Sequence, residues 1–344
     1  MHKRILRPAG LCVAALVAML ALAAGLSHAI WHRSIQATVY ERVLARRNAT
    51  KRTADEEIAR LEALRLAGES TYTLPKSLSF EVSVECAVYE NPALGESMTY
   101  FILNSESQTT RMVFYLHGGA YIHNFNRYQW RFLNRLAREA GIVVVAPDYH
   151  LAPFGNCLRA YRDLTGLYAE YVQAHPEATV FLMGDSAGGG LALGLAEALK
   201  AQGLPVPERL ILFSPWVDVT MENPDIADYT EVEPILHLDL VKVHGQCWAD
   251  DIDPHDWRAS PLFGDMAGLP PVTLYAGTRE LLYPDIRLLA EALKKSGVAV
   301  DFHIGAGLNH DYPLMPLPEA RRAVDQVIAL CKGYSVTAQP AAEL

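Results

Sequence analysis

Gly184-Asp185-Ser186-Ala187-Gly188-Gly189 follows the apolar run Thr179 to Met183 and precedes Leu191 to Lys200, which reads as a helix. A strand that feeds a helix through a G-x-S-x-G turn is a nucleophile elbow. The small residues beside the serine let the backbone turn so sharply that the hydroxyl stands clear of the chain. Ser186 is therefore the candidate nucleophile. A chance run of small residues in a glycine-rich loop produces the same letters, so the reading depends on what surrounds it.

Working outward, β-rich runs begin at Phe80: Phe80 to Tyr89, Met98 to Leu103, Arg111 to Leu116, Ile142 to Ala146, Thr179 to Met183, Arg209 to Phe213, Val272 to Ala276 and Val298 to Ile304. From the third onward they are nearly continuous apolar runs, as parallel strands covered on both faces require. Helical patterns alternate with them at Arg127 to Glu139, Leu158 to Gln173, Leu191 to Lys200, Asp285 to Lys295 and Glu319 to Leu330. This order implies an α/β fold: a doubly wound, mostly parallel sheet of about eight strands with an antiparallel start. Two segments stand outside the alternation. Residues 32–74 read as one or two amphipathic helices, with Ile58, Leu61, Leu64 and Leu66 at helical spacing. Residues 217–261, rich in proline and carrying Trp248 and Trp257, read as a cap or lid inserted over the carboxyl edge of the sheet, where open α/β sheets bind ligands. The catalytic domain is expected over 75–335.

Composition narrows the function. With 51% apolar and 20% charged residues in 344, the chain is globular, and its net charge of −9 without a dense basic cluster in the body argues against nucleic acid. Lys3, Arg4 and Arg7 precede an uncharged stretch from Leu11 to Ile30, and Ser27-His28-Ala29 suits a signal peptidase, so residues 1–31 are expected to be a signal peptide or membrane anchor. The rest of the chain would then be extracytoplasmic, with membrane association possible through residues 11–31. The N-terminal basic residues Arg42, Arg46, Arg47, Lys51 and Arg52 fit a solvated helix face better than a lipid contact. The five cysteines show no C-x-x-C spacing and no metal site, and any disulfides among them are unassigned. Asp250, Asp251, Asp253 and Asp256 lack the spacing of a calcium loop and read as solvated surface.

A serine hydroxyl is a poor nucleophile until a base takes its proton, and the base needs a carboxylate to orient it. In a sheet of this kind the acid and then the histidine follow the nucleophile, on loops after later strands. Glu280 lies in Gly277-Thr278-Arg279-Glu280 after one strand, and His310 ends the glycine-rich Gly305-Ala306-Gly307-Leu308-Asn309-His310 after the last. Asp285 competes with Glu280 for the acid position, and Asp301 and Asp311 also lie near the histidine in sequence. Negative charge developing on a carbonyl oxygen needs donors already facing it. His117-Gly118-Gly119-Ala120 follows the strand ending at Leu116, so Gly118, Gly119 and Ala187 are the expected oxyanion-hole amides, with His117 and Asp185 as structural support.

The set HGGAY at His117 to Tyr121, PDYHLAP at Pro147 to Pro153, GDSAGG at Gly184 to Gly189 and GLNHDYP at Gly307 to Pro313 resembles the hormone-sensitive-lipase branch of the α/β-hydrolase fold, which includes bacterial carboxylesterases and the arylacetamide deacetylases. The resemblance spans roughly residues 75 to 332. It implies Ser186 as nucleophile, His310 as base, and Gly118, Gly119 and Ala187 as oxyanion donors. The family's Asp-x-Leu-x-Asp acid motif becomes Glu280-Leu281-Leu282-Tyr283-Pro284, which puts Glu280 at the acid position, and His150 replaces the usual arginine of the second motif. The expected activity is serine carboxylesterase action on short-to-medium acyl or acetyl esters of a small, apolar molecule, with neither metal nor cofactor. Amidase or deacetylase action on acylated amines, and a non-catalytic binding role, are the alternatives.

Overall fold

The computed structural model describes residues 32–48, 52–69, 71–91 and 95–334, together with isolated positions between 19 and 29. Most of the expected leader or anchor, with Cys12, lies outside the described residues. Among the described residues no helix is long and apolar enough to cross a membrane.

Eight strands form one sheet: β1 (Val84–Asn91), β2 (Glu96–Leu103), β3 (Arg111–Leu116), β4 (Val143–Pro147), β5 (Thr179–Asp185), β6 (Arg209–Phe213), β7 (Val272–Gly277) and β8 (Val300–Gly305). Their spatial order is β1-β2-β4-β3-β5-β6-β7-β8. β1 pairs antiparallel with β2, and β2 with β4, while every other pairing is parallel. The reason that β3, β5 and β6 read as unbroken apolar runs is visible in their packing. Phe114, Leu182 and Leu212 enter one core, and Val113, Phe181 and Ile211, their neighbours in sequence, enter the other. With both faces dry, the period-two signal disappears.

Helices α1 (Ile35–Arg47) and α2 (Ala54–Ala67) precede the sheet, and α3 (Arg127–Ala140), α4 (Cys157–Ala174), α5 (Ser186–Ala201), α7 (Tyr283–Lys295) and α8 (Pro318–Cys331) follow the strands, with α6 (Leu238–Ala249) in the inserted segment. Their ends obey local rules. Thr53 and Glu56 form a reciprocal capping box on α2, Asn126 and Gln129 another on α3, and Gly141 closes α3 in the left-handed region.

Several element ends shift by a few residues, β1 most, which runs Val84–Asn91 rather than Phe80 to Tyr89, and two larger differences bear on the site. The helix expected from Leu191 begins at Ser186, so Gly188, Gly189 and Gly190 are helical. Glycine disfavours a helix interior, but a Cβ at Gly188 would lie 2.1 Å from the Leu116 carbonyl oxygen and one at Gly190 1.8 Å from that of Trp216. Tertiary crowding therefore selects glycine there against its propensity. The second difference is α6, within a segment that carried no helix assignment. Its Val243 and Cys247 pack with Leu61 and Leu64 of α2, and His244 Nε2 sits 2.9 Å from Glu57 Oε1. The N-terminal and inserted segments thus meet side by side.

A groove of about 930 Å3 runs between α2, α6 and the stretch from Pro153 to Arg162, and none of Ser186, Glu280 or His310 lines it. Cys86, Cys157, Cys247 and Cys331 sit on four separate elements and are free thiols. Of the inserted segment's aspartates, Asp256 pairs with Arg258 at 2.6 Å and Asp250 accepts from Asn156 at 2.9 Å.

Candidate active site

Ser186 occupies the junction of β5 and α5 with φ +51°, a left-handed conformation that is costly for a residue with a Cβ. The surrounding glycines make the turn possible, since a Cβ at Gly184 would come 2.2 Å from the Gly188 carbonyl oxygen. The strained turn is the expected elbow, and it leaves Ser186 6% exposed at the carboxyl edge of the sheet.

His310, in the loop after β8, places Nε2 2.9 Å from Ser186 Oγ, although 124 residues separate them. Its Nδ1 lies 2.8 Å from Glu280 Oε2. Glu280 follows β7 and is completely buried; its other oxygen accepts the Gly277 N–H at 2.9 Å. That second bond fixes the carboxylate plane and holds the imidazole in the tautomer with Nδ1–H toward Glu280 and the Nε2 lone pair toward serine.

The competing carboxylates go elsewhere. Asp285 lies in the first turn of α7 and accepts from Asn223 Nδ2 at 2.7 Å, and burial raises its pKa to about 6. Asp301 pairs with Arg209 at 3.0 Å across the sheet. Asp311 is different. Its backbone is left-handed at φ +54°, its N–H donates to Ser214 Oγ at 3.0 Å, and its Oδ2 stands 3.3 Å from His310 Nε2 on the serine side of the ring.

These carboxyls set the electrostatics. Burial alone would push the His310 imidazolium down, but Asp311, Glu280 and the buried Glu233 of the inserted segment outweigh it and hold the pKa above the ordinary histidine value. Burial, reinforced by Asp185, Glu280 and Glu233, raises Asp311 well above the usual carboxylate range. Glu233, raised by burial to about 7, also reaches the acid loop: its Oε2 accepts the Leu281 N–H at 3.2 Å.

The oxyanion loop requires a correction. The Gly118 N–H, expected among the donors, is already engaged by Asp185 Oδ1 at 2.9 Å. Asp185 is buried and also accepts from the Tyr115 hydroxyl and from Gln129 Nε2, at 2.8 Å for the latter. It buttresses the loop against the elbow, and a Cβ on Gly118 would meet its Oδ2 at 2.5 Å. Beyond it the chain is forced through three consecutive positive φ angles, at Gly119, Ala120 and Tyr121. Among the described residues nothing accepts the N–H of Gly119, Ala120 or Ala187, and the N-terminus of α5 lacks a side-chain cap. Ala120 thus replaces Gly118 in the free-donor set. The signal that could have shown this is the aspartate immediately before the serine, a buried acceptor in need of a backbone donor.

His117 has a bracing geometry. Its Nδ1–H donates to the Gly118 carbonyl at 2.9 Å, and its ring stacks between Phe125 and Tyr149, with centroids 4.2 and 4.5 Å away. Burial lowers its pKa to about 4, so it is neutral. The PDYHLAP stretch supports the same loop: the Tyr149 hydroxyl donates to the His117 carbonyl at 2.7 Å and the Ala152 N–H to that of Tyr121 at 2.9 Å.

Residues 113–314 match the family model described as alpha/beta hydrolase fold. An acetyl-hydrolase of Streptomyces hygroscopicus is 32% identical over 223 residues, 63% of this chain and 74% of that protein. An esterase of Acinetobacter venetianus is 29% identical over 229 residues, 65% of this chain and 76% of the relative. Among solved structures, an esterase of the bacterial hormone-sensitive lipase family superimposes with a TM-score of 0.73 at 25% identity, covering 88% of this chain and 98% of the other. The chain belongs to the α/β-hydrolase fold family, in its hormone-sensitive-lipase-like branch of carboxylic ester hydrolases.

Proposed function

We propose that this protein is a serine carboxylesterase that cleaves small, apolar esters through an acyl-enzyme. The observation that carries the reading is the unbroken relay from Glu280 through His310 to Ser186, at 2.8 and 2.9 Å. Ser186 Oγ attacks the ester carbonyl carbon as His310 Nε2 takes its proton. The free amides of Gly119, Ala120 and Ala187 are the donors available to the developing oxyanion, and loss of one such donor costs about 3 kcal/mol of transition-state stabilisation. His310 then gives its proton to the leaving alcohol. Glu280 stabilises the imidazolium it orients. Water enters, loses a proton to the same nitrogen, and releases the carboxylic acid while the proton returns to Ser186.

A fluorophosphonate probe tests this directly. The wild-type protein should be labelled at Ser186 and should turn over p-nitrophenyl acetate, whereas Ser186→Ala should take no label and lose turnover by at least about a thousandfold. An unlabelled wild type refutes the hydrolytic reading. Faster turnover of an anilide than of the matching ester would replace esterase by amidase.

We further infer that the domain is exported, with residues 1–31 acting as a signal peptide or as a membrane anchor. The support is the basic flank of Lys3, Arg4 and Arg7 before the uncharged stretch from Leu11 to Ile30. Activity confined to the cytosolic fraction of cells expressing the full chain would refute that placement.

A further inference from the structure

The acid and histidine loops are joined to each other outside the active site, by a residue that precedes the family-model region. Glu41, on α1, has its carboxylate at a convergence of donors. Its Oε2 accepts from Arg33 Nη1 at 2.5 Å, Arg279 Nε at 3.0 Å and Asn309 Nδ2 at 3.1 Å, and its Oε1 accepts from Arg279 Nη2 at 3.2 Å. Arg279 immediately precedes Glu280, and Asn309 immediately precedes His310. Arg33 Nη1 donates in addition to the Gly307 carbonyl at 2.6 Å, two residues further up the histidine loop. The cluster is sheltered, with Arg33 2% and Glu41 16% exposed at the side chain. Burial by itself would raise the Glu41 pKa, but the two guanidiniums more than offset it and keep the carboxylate ionised.

We propose that Glu41 is a positioning residue for the triad: its carboxylate ties the loop carrying Glu280 to the loop carrying His310 and makes α1 a working part of the active site. The proposal rests on the triad reading above. The physical requirement is plain. The relay needs the Glu280 and His310 loops registered to within a fraction of an ångström, and β7–β8 pairing ends at Gly277 and Gly305, before either residue. Past that point the loops are joined by the Thr278 N–H to the Gly305 carbonyl at 3.1 Å, the Arg279 N–H to the Leu308 carbonyl at 3.0 Å and the Gly307 N–H to Thr278 Oγ1 at 2.8 Å, none of which reaches Asn309 or a triad residue. Glu41 adds a side-chain tie from α1 to Arg279 and Asn309, the residues directly before Glu280 and His310, and its single negative charge offsets part of the positive charge that Arg33 and Arg279 bring to a sheltered pocket.

The test compares Glu41→Gln with Glu319→Gln. Glu319, on α8, accepts from the Ser34 N–H at 2.6 Å and the Ser34 hydroxyl at 3.0 Å, so it anchors the N-terminus of the same helix through Ser34 rather than through a triad loop. In Glu41→Gln, kcat on p-nitrophenyl acetate should fall roughly ten- to a hundredfold, the scale of a small misplacement of a reacting group. KM should stay within about twofold of wild type, fluorophosphonate labelling should slow in step with kcat, and the downfield 1H NMR signal of the His310 Nδ1 proton should shift or broaden. Glu319→Gln should retain kcat and that signal. An unimpaired Glu41→Gln with normal wild-type labelling overturns the proposal alone. Equal losses in both variants, in proportion to the folded fraction, overturn it too, because α1 would then be only scaffold. Failure of the wild type to label overturns the triad reading itself.

Discussion

Replacing Asp311 by asparagine removes a carboxyl that stands 3.3 Å from the nitrogen through which every proton of the reaction passes. Two unit charges at that separation interact by about 5 kcal/mol at an effective dielectric of 20. The full amount is not available to His310, because burial and the carboxyls of Asp185, Glu280 and Glu233 all oppose ionisation of Asp311. If about a third to a half survives, roughly 1.5–2.5 kcal/mol, the imidazolium loses stabilisation worth one to two pH units. The sign follows. Esterolysis needs a neutral His310, a carboxylate beside it favours the charged form, and removing that carboxylate lowers the His310 pKa. The acid limb of kcat/KM should therefore move to lower pH by roughly one to two units in Asp311→Asn. The assay is p-nitrophenyl acetate hydrolysis across the acid and neutral range, with quenched samples read at alkaline pH. Asp311→Gly should shift the limb in the same direction and, by relieving the φ of +54°, should unfold at no lower a temperature than the wild type. A limb that stays in place in both variants, or moves upward, refutes the electrostatic reasoning.

Three other substitutions test named contacts. Glu280→Gln should cut kcat by roughly a hundred- to ten-thousandfold, since an amide turned toward Nδ1 favours the wrong tautomer. Asp285→Asn, which keeps an acceptor for Asn223, should remain within about twofold of wild type, and a dead Asp285→Asn beside an active Glu280→Gln would reverse the assignment of the acid. At the junction of α2 and α6, hydrogen bonding from Arg60 outweighs burial and, with His244, lowers the Glu57 pKa to about 2. A depressed carboxylate contributes stability above its unfolded pKa and loses it as pH falls through the folded one. Urea midpoints of wild type and Glu57→Gln should therefore differ most at neutral pH and converge from the ordinary glutamate range down toward pH 2; a constant gap would count against the contact.

Legibility varied with the range of the interaction involved. The eight strands were readable because doubly covered parallel strands show a local apolar run bounded by turn residues, and β3 and β6 begin and end where the pattern does. Ser186, Glu280 and His310 were readable because chain order in a doubly wound sheet sends each to the same edge. α6 was hidden because its apolar positions face α2, an element far away in sequence. The start of α5 was hidden because its glycines answer to the Leu116 and Trp216 carbonyls rather than to helix propensity.

By itself, the sequence determined the fold class, the elbow and the two loops that complete the relay, since each has a local signature in apolar runs, small residues or position after a strand. Only the tertiary structure decided between Glu280 and Asp285, because both follow β7 and only a distance, 2.8 Å to His310 Nδ1, separates them. It alone showed that the Gly118 amide is spent on Asp185, that Asp311 crowds the catalytic nitrogen, and that Glu41 clamps the acid and histidine loops. Hydrogen bonds between groups tens to hundreds of residues apart leave no periodicity along the chain. They exist only once the sheet has brought its loops to one edge.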